Sequence, residues 1–363
     1  RCLSRSGSTY LQEDDSLRNV SPSGTHVVPY RRCLTVPCGQ VETQVMSTQL
    51  VRSNEGARAA QSVRALCRAM RPHQWVKNLL LFGGLIFSKS LFDPVLLMKS
   101  VQGFFLFCFA SSAVYLLNDL RDIENDRLHP KKRLRPLASG DLSPRPAIAG
   151  MLTLVLIAVA GGFQLGITFG ALVTIYLTLN VAYTFSLKQQ PILDVMCIAS
   201  GFVLRAVAGT IVIATVPSPW IVLCTMTLAV FVGFGKRRHE LVSLSDDATK
   251  HRDCLAGYSQ QFLDLMMAVS AASAVVSYSL YTVAQQTVDR FGTQLLMATT
   301  PFVMYGIFRF FYLVHLRTEG GDPSKLFVTD RPTLINGALW ALSICAIVYT
   351  PAEYLPWWAV QIY

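Results

Sequence analysis

Charged residues are scarce in this sequence. They make up 15% of its 363 residues, whereas soluble domains are about a quarter charged. The deficit comes from four uncharged runs, at residues 147–187, 217–235, 265–288 and 332–352. Because about 20 apolar residues cross a bilayer, these runs exclude an ordinary soluble domain. No alternating segments typical of a membrane β-barrel are present. The predicted fold class is therefore all-α, a polytopic membrane protein.

Several reactive arrangements are also missing. The nine cysteines form neither a CxxC pair nor a Cys/His metal spacing. Those inside the apolar runs are best interpreted as small apolar residues: Cys108, Cys197, Cys224 and Cys345. No Ser-His-Asp or Cys-His arrangement is apparent, and the N-terminus lacks the apolar core of a secretory signal.

The chain divides into three parts by composition. Residues 1–62 are rich in Ser, Gly, Arg and acidic residues without periodicity, so we expect a disordered or non-native N-terminal extension. Met46 and Met70 are candidate native starts. Residues 63–352 form the predicted membrane domain, and residues 353–363 form a short tail.

About nine membrane spans are predicted from hydropathy, with basic loops on one side. They lie at about 79–97, 101–118, 147–166, 167–187, 192–214, 217–235, 262–284, 293–314 and 333–349. This count places every basic segment on the same side, which the positive-inside rule makes cytoplasmic. The distribution of the net charge of +10 is therefore explained by membrane topology and by binding of an anionic substrate, and not by binding of nucleic acid. Arg64, Arg68 and Arg71 are expected to face lipid headgroups from an interfacial helix.

Three aspartates follow the uncharged run 101–117. Asp119, Asp122 and Asp126 have the i, i+3, i+7 spacing that places them on one helical face. Such a cluster at the mouth of an apolar span is costly unless a cation neutralises it, and carboxylate oxygens suit Mg²⁺. The basic residues that follow suit an anion: Arg127, Lys131, Lys132, Arg133 and Arg135. The alternative is a helix end with solvated acidic residues.

Three further polar groups are expected on the cytoplasmic face. Asp194, Gly201 and Arg205 share one face of the fifth span, where charged residues are functional by default. Another interpretation of Arg205 is an ion pair between neighbouring helices that has no part in catalysis. For Gly201 and Gly209, another interpretation is close packing of helices. Lys236 and Glu240 form an i, i+4 pair at the end of the sixth span, and a loop covers 315–331. Another interpretation of Arg237 and Arg238 is that their charges only fix the orientation of the helix in the membrane, as the positive-inside rule describes.

The segment Asn118-Asp119-x-x-Asp122-x-x-x-Asp126 resembles the first aspartate-rich motif of the UbiA superfamily of intramembrane prenyltransferases. The resemblance covers about residues 66–352. Four features are more narrowly similar to its decaprenyl-phosphate phosphoribosyltransferase branch: Arg71-Pro-x-Gln-Trp-Val-Lys-Asn78; His129-Pro-x-Lys132 with Arg135-Pro-x-Ala-Ser-Gly140; Asp194-Val with Gly201-Phe-x-x-Arg205; and Gly235-Lys-Arg-Arg-x-Glu240. The region around Asp194 departs from the double-aspartate pattern of the aromatic-acceptor enzymes.

The resemblance implies a reaction and roles for individual residues. The reaction is transfer of 5-phosphoribose from phosphoribosyl diphosphate (PRPP) to a polyprenyl (decaprenyl) phosphate, for cell-wall arabinan synthesis. Asp119, Asp122 and Asp126 would hold Mg²⁺ with help from Asn118. PRPP is assigned to Lys132, Arg135, Tyr183, Lys188 and Asp194. Phosphate groups of either substrate are assigned to Lys77, Arg205, Lys236 and Arg237. We expect a bacterial inner-membrane protein with a cytoplasm-facing site, and homo-oligomers are an option.

Two rival functions stay open from the sequence. The first is a UbiA-type enzyme that joins a polyprenyl diphosphate to an aromatic ring, which would want a second carboxylate set near 183–198. The second is a membrane transporter, which suits intramembrane charge but not three aspartates at a magnesium spacing.

Overall fold

A computed structural model describes residues 61–244, 253–316 and 329–350. Within these ranges eight helices are long and apolar enough to cross a membrane. We label them in chain order: α1 Pro94–Arg121, α2 Pro144–Leu165, α3 Ile167–Phe185, α4 Leu193–Ile211, α5 Pro219–Leu244, α6 Gln260–Val283, α7 Thr300–Leu316 and α8 Arg331–Tyr349. The predicted all-α class is confirmed, and no strand occurs in the described ranges.

The first predicted span, at about 79–97, is not one continuous helix. A 3-10 helix covers Pro72–Leu81, a short α-helix covers Phe82–Phe87, and α1 begins only at Pro94. The chain breaks there because Asp93 caps α1 with its side chain, which accepts from the amides of Val95 and Leu96. At the usual rises of about 2.0 and 1.5 Å per residue, the two short helices together reach roughly 29 Å. That length is close to the hydrocarbon thickness, so about nine crossings remain compatible with the structure.

Two close approaches position the start of the chain against the bundle. A Cβ placed on Gly209 of α4 would lie 2.1 Å from the carbonyl oxygen of Leu81. A Cβ on Gly84 would lie 2.5 Å from the carbonyl oxygen of Gly209. Only glycine allows these backbones to touch, so Gly209 has the packing role considered for it from the sequence.

A single residue connects the helices that correspond to the third and fourth predicted spans. Gly166, at φ 155°, separates the end of α2 from the start of α3. By contrast, the sixth span does not end at residue 235 as predicted. Helix α5 continues to Leu244, so Lys236, Arg237 and Glu240 lie on a rigid helix and not in a loop.

Of the apolar clusters in the described ranges, the two largest support the centre of the bundle. One lies among α5, α6 and α7 and includes Phe231, Met267 and Phe310. The other lies among α1, α3 and α4 and includes Phe107, Phe169 and Tyr176. Short helices at Ile123–Leu128, Lys132–Leu134 and Pro136–Ser139 connect α1 to α2.

Candidate active site

Asp119 is the buried centre of the aspartate group. Its Oδ1 accepts from Nη2 of Arg71 and, at 3.1 Å, from Nη1 of Arg135. Its Oδ2 is buried and has no hydrogen-bond partner among the described residues. A desolvated carboxylate oxygen without a partner is costly, so this oxygen is suited to an additional cation or donor.

The other two aspartates lie beyond a break in the helix. Helix α1 ends at Arg121, and Asp126 belongs to the separate helix Ile123–Leu128. The three aspartates therefore do not share one continuous helical face, contrary to the sequence prediction. They are instead gathered by cations: Arg135 bridges Asp119 and Asp126, at 2.6 Å from the latter. Lys188 contacts both oxygens of Asp122 at 3.0 and 3.1 Å.

The C-terminal end of α3 connects the two halves of the site. The Thr184 hydroxyl donates to Oδ1 of Asn118 at 2.6 Å, so the side chain of Asn118 is held directly beside the aspartates. Tyr183 OH accepts from Nη2 of Arg237 at 3.4 Å. Lys188, just beyond α3, reaches Asp122. Three side chains from one short stretch thus contact the aspartate group on one side and α5 on the other.

Asp194 and Arg237 form a fully buried pair. The side chains of both are 0% exposed, and Nε of Arg237 donates to Oδ2 of Asp194. Nη1 of Arg237 also contacts Glu240. Tyr258 OH donates to Oδ1 of Asp194 at 2.7 Å, and the Cys254 thiol lies 3.6 Å from Oδ2. Both oxygens of Asp194 are therefore occupied by protein groups.

Backbone strain occurs next to this pair. Ile192 precedes α4 with φ 69°, a region that a β-branched residue rarely adopts. Its amide donates to Tyr258 OH, which fixes the strained residue to the same phenol that contacts Asp194. Burial first, and then the hydrogen bond to Asp194, raises the pKa of Tyr258. The phenol consequently keeps its proton as a donor.

Arg205 lies in a polar network inside the bundle. Its Nε donates to Oδ1 of Asn78 at 2.7 Å, its Nη1 to the Gly201 carbonyl at 2.8 Å, and its Nη2 to Tyr176 OH at 2.7 Å. The guanidinium also lies over the Tyr176 ring, 4.7 Å from its centroid. Arg205 therefore makes internal contacts between helices, as the alternative interpretation of the sequence expected. Its partners are neutral oxygens, however, and not the carboxylate of an ion pair. Its assignment to phosphate stays a prediction.

Three other predicted residues keep part of their surface accessible. Lys77 and Lys132 are half-buried. Nζ of Lys236 lies 4.0 Å from Glu240 and the side chain is 37% exposed. In the predicted loop at 315–331, His315 contacts Asp264, Arg331 begins α8, and residues 317–328 lie outside the described ranges.

The oxygen atoms of this group are compatible with a divalent cation, although they are not arranged as a preformed metal site. No cluster of three His, Cys, Asp or Glu residues is preformed within the described ranges. The oxygens of Asp119, Asp122, Asp126 and Asn118 are the hard ligands that Mg²⁺ prefers, and Oδ2 of Asp119 has no other partner there. Binding would require the arginines and the lysine to move from carboxylate to phosphate oxygens, with which they also form charge-assisted hydrogen bonds.

Four contributors were not assigned to the site from the sequence. Arg71 was expected at the headgroups, but its Nη2 contacts Asp119; its place in the Arg71–Asn78 motif was the available signal. Thr184 lies between the assigned Tyr183 and Lys188 and was overlooked. Tyr258 and Cys254 approach Asp194 from a segment 60 or more residues away, for which no sequence signal exists.

Comparisons with known proteins agree with one another. The model of the UbiA prenyltransferase family matches residues 79–331. The decaprenyl-phosphate phosphoribosyltransferase of Corynebacterium glutamicum is 30% identical, over 78% of this chain and 86% of that protein. The enzyme of the same name from Mycolicibacterium smegmatis is 31% identical, over 79% of this chain and 93% of its own. A UbiA homologue from Archaeoglobus fulgidus, solved with GPP and Mg²⁺, superposes with a TM-score of 0.62 at 18% identity, covering 79% of this chain and 100% of that chain.

Proposed function

Because this chain belongs to the UbiA prenyltransferase family, we propose that it transfers 5-phosphoribose from PRPP to a polyprenyl phosphate and releases pyrophosphate. The relatives named decaprenyl-phosphate phosphoribosyltransferase support this donor and acceptor. The names of the same relatives support a decaprenyl acceptor. We further propose a bacterial inner membrane, with the site on the cytoplasmic side because the basic segments lie there, and a product used for cell-wall arabinan.

One observation carries the proposal: each aspartate of the group is already paired with a cation. Arg71 and Arg135 contact Asp119, Arg135 contacts Asp126, and Lys188 contacts Asp122. A site that binds a magnesium diphosphate needs carboxylates for the metal and cations for the phosphate oxygens at the same place. PRPP carries a 5-phosphate besides its diphosphate. Lys132, Lys77 and Lys236 supply additional cations for it.

The residues would act mainly through charge. Mg²⁺, when bound to Asp119, Asp122, Asp126 and Asn118, would neutralise the departing pyrophosphate. Arg135 and Lys188 would hold diphosphate oxygens, and Tyr183 would position the ribose beside them. Asp194 orients Arg237, whose Nη2 already contacts Tyr183. The acceptor phosphate is an anion and needs no strong base, which agrees with the lack of an assigned catalytic histidine.

The rival prenyl transfer to an aromatic ring is less well supported. It would want a second set of available carboxylates near residues 183–198. Asp194 is the acidic residue of that stretch, and both of its oxygens are occupied by Arg237 and Tyr258. Family membership favours a transferase over a transporter.

The deciding experiment is an assay of membranes with labelled PRPP and polyprenyl phosphate, with and without Mg²⁺. A lipid-linked phosphoribose should form only with the metal, and Asp122→Ala should abolish it. The matched control is Glu124→Ala, because Glu124 lies two residues after Asp122, in the short helix Ile123–Leu128, but is 83% exposed and contacts Arg127. The proposal fails if labelled product forms from a prenyl diphosphate and a hydroxybenzoate but not from PRPP.

A further inference from the structure

His129 connects the aspartate group to the cations that follow it in the chain. It comes directly after the short helix Ile123–Leu128, which carries Asp126, and precedes the 3-10 helix Lys132–Leu134. Its amide donates to the Asp126 carbonyl at 3.2 Å, and its carbonyl accepts from the Arg133 amide at 3.1 Å. The backbone of this one residue therefore holds the two short helices together.

The imidazole of His129 reaches the same turn. Its Nδ1 accepts from the backbone amides of Lys131 and Lys132, at 3.2 and 3.3 Å. Amides at the start of a helix lack intrahelical partners, and a side-chain acceptor just before the helix often satisfies them. The cap position itself is held by Lys131, whose side chain cannot accept a hydrogen bond. His129 therefore caps the 3-10 helix from two residues further back.

Pro130 keeps the imidazole in place. A proline restricts the residue before it to extended backbone, and His129 has φ −86° and ψ 130°. The proline ring also fixes its own φ. The turn that brings the amides of Lys131 and Lys132 under the ring therefore has little backbone freedom.

The two contacts determine which ring nitrogen of His129 carries hydrogen. A nitrogen that accepts from an amide has no hydrogen of its own, so the single N–H of the neutral ring lies on Nε2. With Nδ1 engaged and hydrogen on Nε2, the ring has no lone pair with which to remove a proton from a substrate. In this arrangement His129 cannot serve as a general base.

The capped helix sets the distance between two cations of the site. Lys132 is its first residue, and the Arg135 amide, which follows the helix, donates to the Lys132 carbonyl at 2.9 Å. Arg135 is fixed a second time by its ion pairs with Asp119 and Asp126. A three-residue 3-10 helix has almost no stability of its own. The position of Lys132 relative to Arg135 therefore depends on the cap.

We propose that His129 is a positioning residue that favours a donor with a 5-phosphate besides its diphosphate. The proposal rests on the function proposed above, in which Arg135 holds the diphosphate of PRPP and Lys132 holds the 5-phosphate. By capping the turn, Nδ1 of His129 keeps the two cations at the separation that PRPP requires. Loss of the cap should release Lys132 more than Arg135, because the two aspartates still hold Arg135. PRPP should then lose affinity, whereas pyrophosphate, which has no 5-phosphate, should lose little.

The test compares binding of PRPP and of pyrophosphate to the purified full chain in micelles, with Mg²⁺ and without acceptor lipid, by titration calorimetry. His129→Ala should weaken PRPP binding about tenfold, as expected when one hydrogen bond to a charged group is lost, and should change pyrophosphate binding less than about twofold. His129→Asn should restore PRPP binding, because its Oδ1 can take the place of Nδ1 and asparagine is a common capping acceptor. His129→Gln carries its acceptor one bond further from the backbone and should behave as His129→Ala.

Asp93→Ala is the matched control, because Asp93 also accepts from two amides, those of Val95 and Leu96, at the end of α1 opposite the aspartates. It should leave both affinities unchanged.

The outcomes separate this proposal from the proposed function. A wild-type chain that binds PRPP no more tightly than pyrophosphate would contradict the proposed function and, with it, this role of His129. If the wild type prefers PRPP, three results would overturn the role of His129 alone: a preference that His129→Ala leaves intact, an equal loss for both ligands in His129→Ala, or equal recovery in His129→Asn and His129→Gln.

Discussion

Water reaches the two acidic groups of the site to very different extents. Asp194 and Arg237 are both 0% exposed, and their polar atoms contact other protein groups. The cations on the aspartate group are more accessible: Arg71 is 21%, Arg135 27% and Lys188 22% exposed. Accessible cations can exchange partners when a ligand arrives, whereas a desolvated pair is held in one arrangement. This difference leads us to propose ligand binding for the aspartate group and positioning for the Asp194–Arg237 pair.

The strongest test of this contrast is Asp194→Ala. It removes one of the two carboxylates on the buried Arg237 and leaves Nε without an acceptor, because Glu240 contacts Nη1, and we expect a cost of about 3–5 kcal/mol of unfolding free energy. The double variant Asp194→Leu/Arg237→Leu should recover most of that loss, because no fully buried charge is then left alone and the partly exposed Glu240 keeps Lys236 nearby. Chemical unfolding in mixed micelles measures both. A single variant as stable as the wild type would show that the pair is not a structural unit.

The second test is Asp119→Asn, which should give the opposite profile. The partly exposed Arg71 and Arg135 can turn to solvent, and Arg135 keeps Asp126, so the free energy of unfolding should change by less than about 1 kcal/mol. Product formation should fall by about 10²–10³-fold if the carboxylate holds the metal on the diphosphate. Unfolding and the PRPP assay are compared on the same preparation. A stability loss as large as that of Asp194→Ala would erase the distinction between the two groups.

A smaller effect is expected for Lys188→Met. Removing this charge should raise KM for PRPP about tenfold, since one charge-assisted hydrogen bond to phosphate is lost, with little change in stability. Steady-state kinetics over a range of PRPP concentrations measures it. Lys131→Met, an exposed lysine of the neighbouring connection, is the control. An unchanged KM would place Lys188 outside the donor site.

The smallest effect is expected for Tyr258→Phe. Loss of the hydrogen bonds to Asp194 and Ile192 should cost about 1–2 kcal/mol of unfolding free energy and reduce kcat by less than tenfold. Because burial raises the pKa of Tyr258 in the folded chain, its contribution is fully present below the ordinary tyrosine pKa of about 10 and declines at higher pH. Unfolding measured from pH 8 to pH 11 should therefore show the two proteins converging. Parallel curves would contradict this role.

The sequence predicted the membrane helices well because long uncharged runs have few alternatives in a bilayer. It did not predict the break at residues 72–93, where a 3-10 helix, two touching glycine backbones and a capping aspartate decide the path. These are contacts between distant segments, and hydropathy carries no information about them.

The site was predictable to a similar degree. The spacing of Asp119, Asp122 and Asp126 indicated a charge cluster, but not that Arg135 would join two helices across a break. Arg71 and Tyr258 lie 48 and 64 residues from the aspartates they contact. Such pairings depend on the folded bundle, so patterns along the chain could identify the acidic residues but not all of their partners.

The single residue between α2 and α3 has a consequence for biogenesis. Gly166 leaves no loop that could be translocated separately, so the two helices must enter the membrane together as a hairpin. The orientation of that hairpin then depends on its flanks, the basic connection before α2 and Lys188 after α3. During synthesis these same lysines and arginines would direct the orientation of the hairpin, before the bundle has assembled.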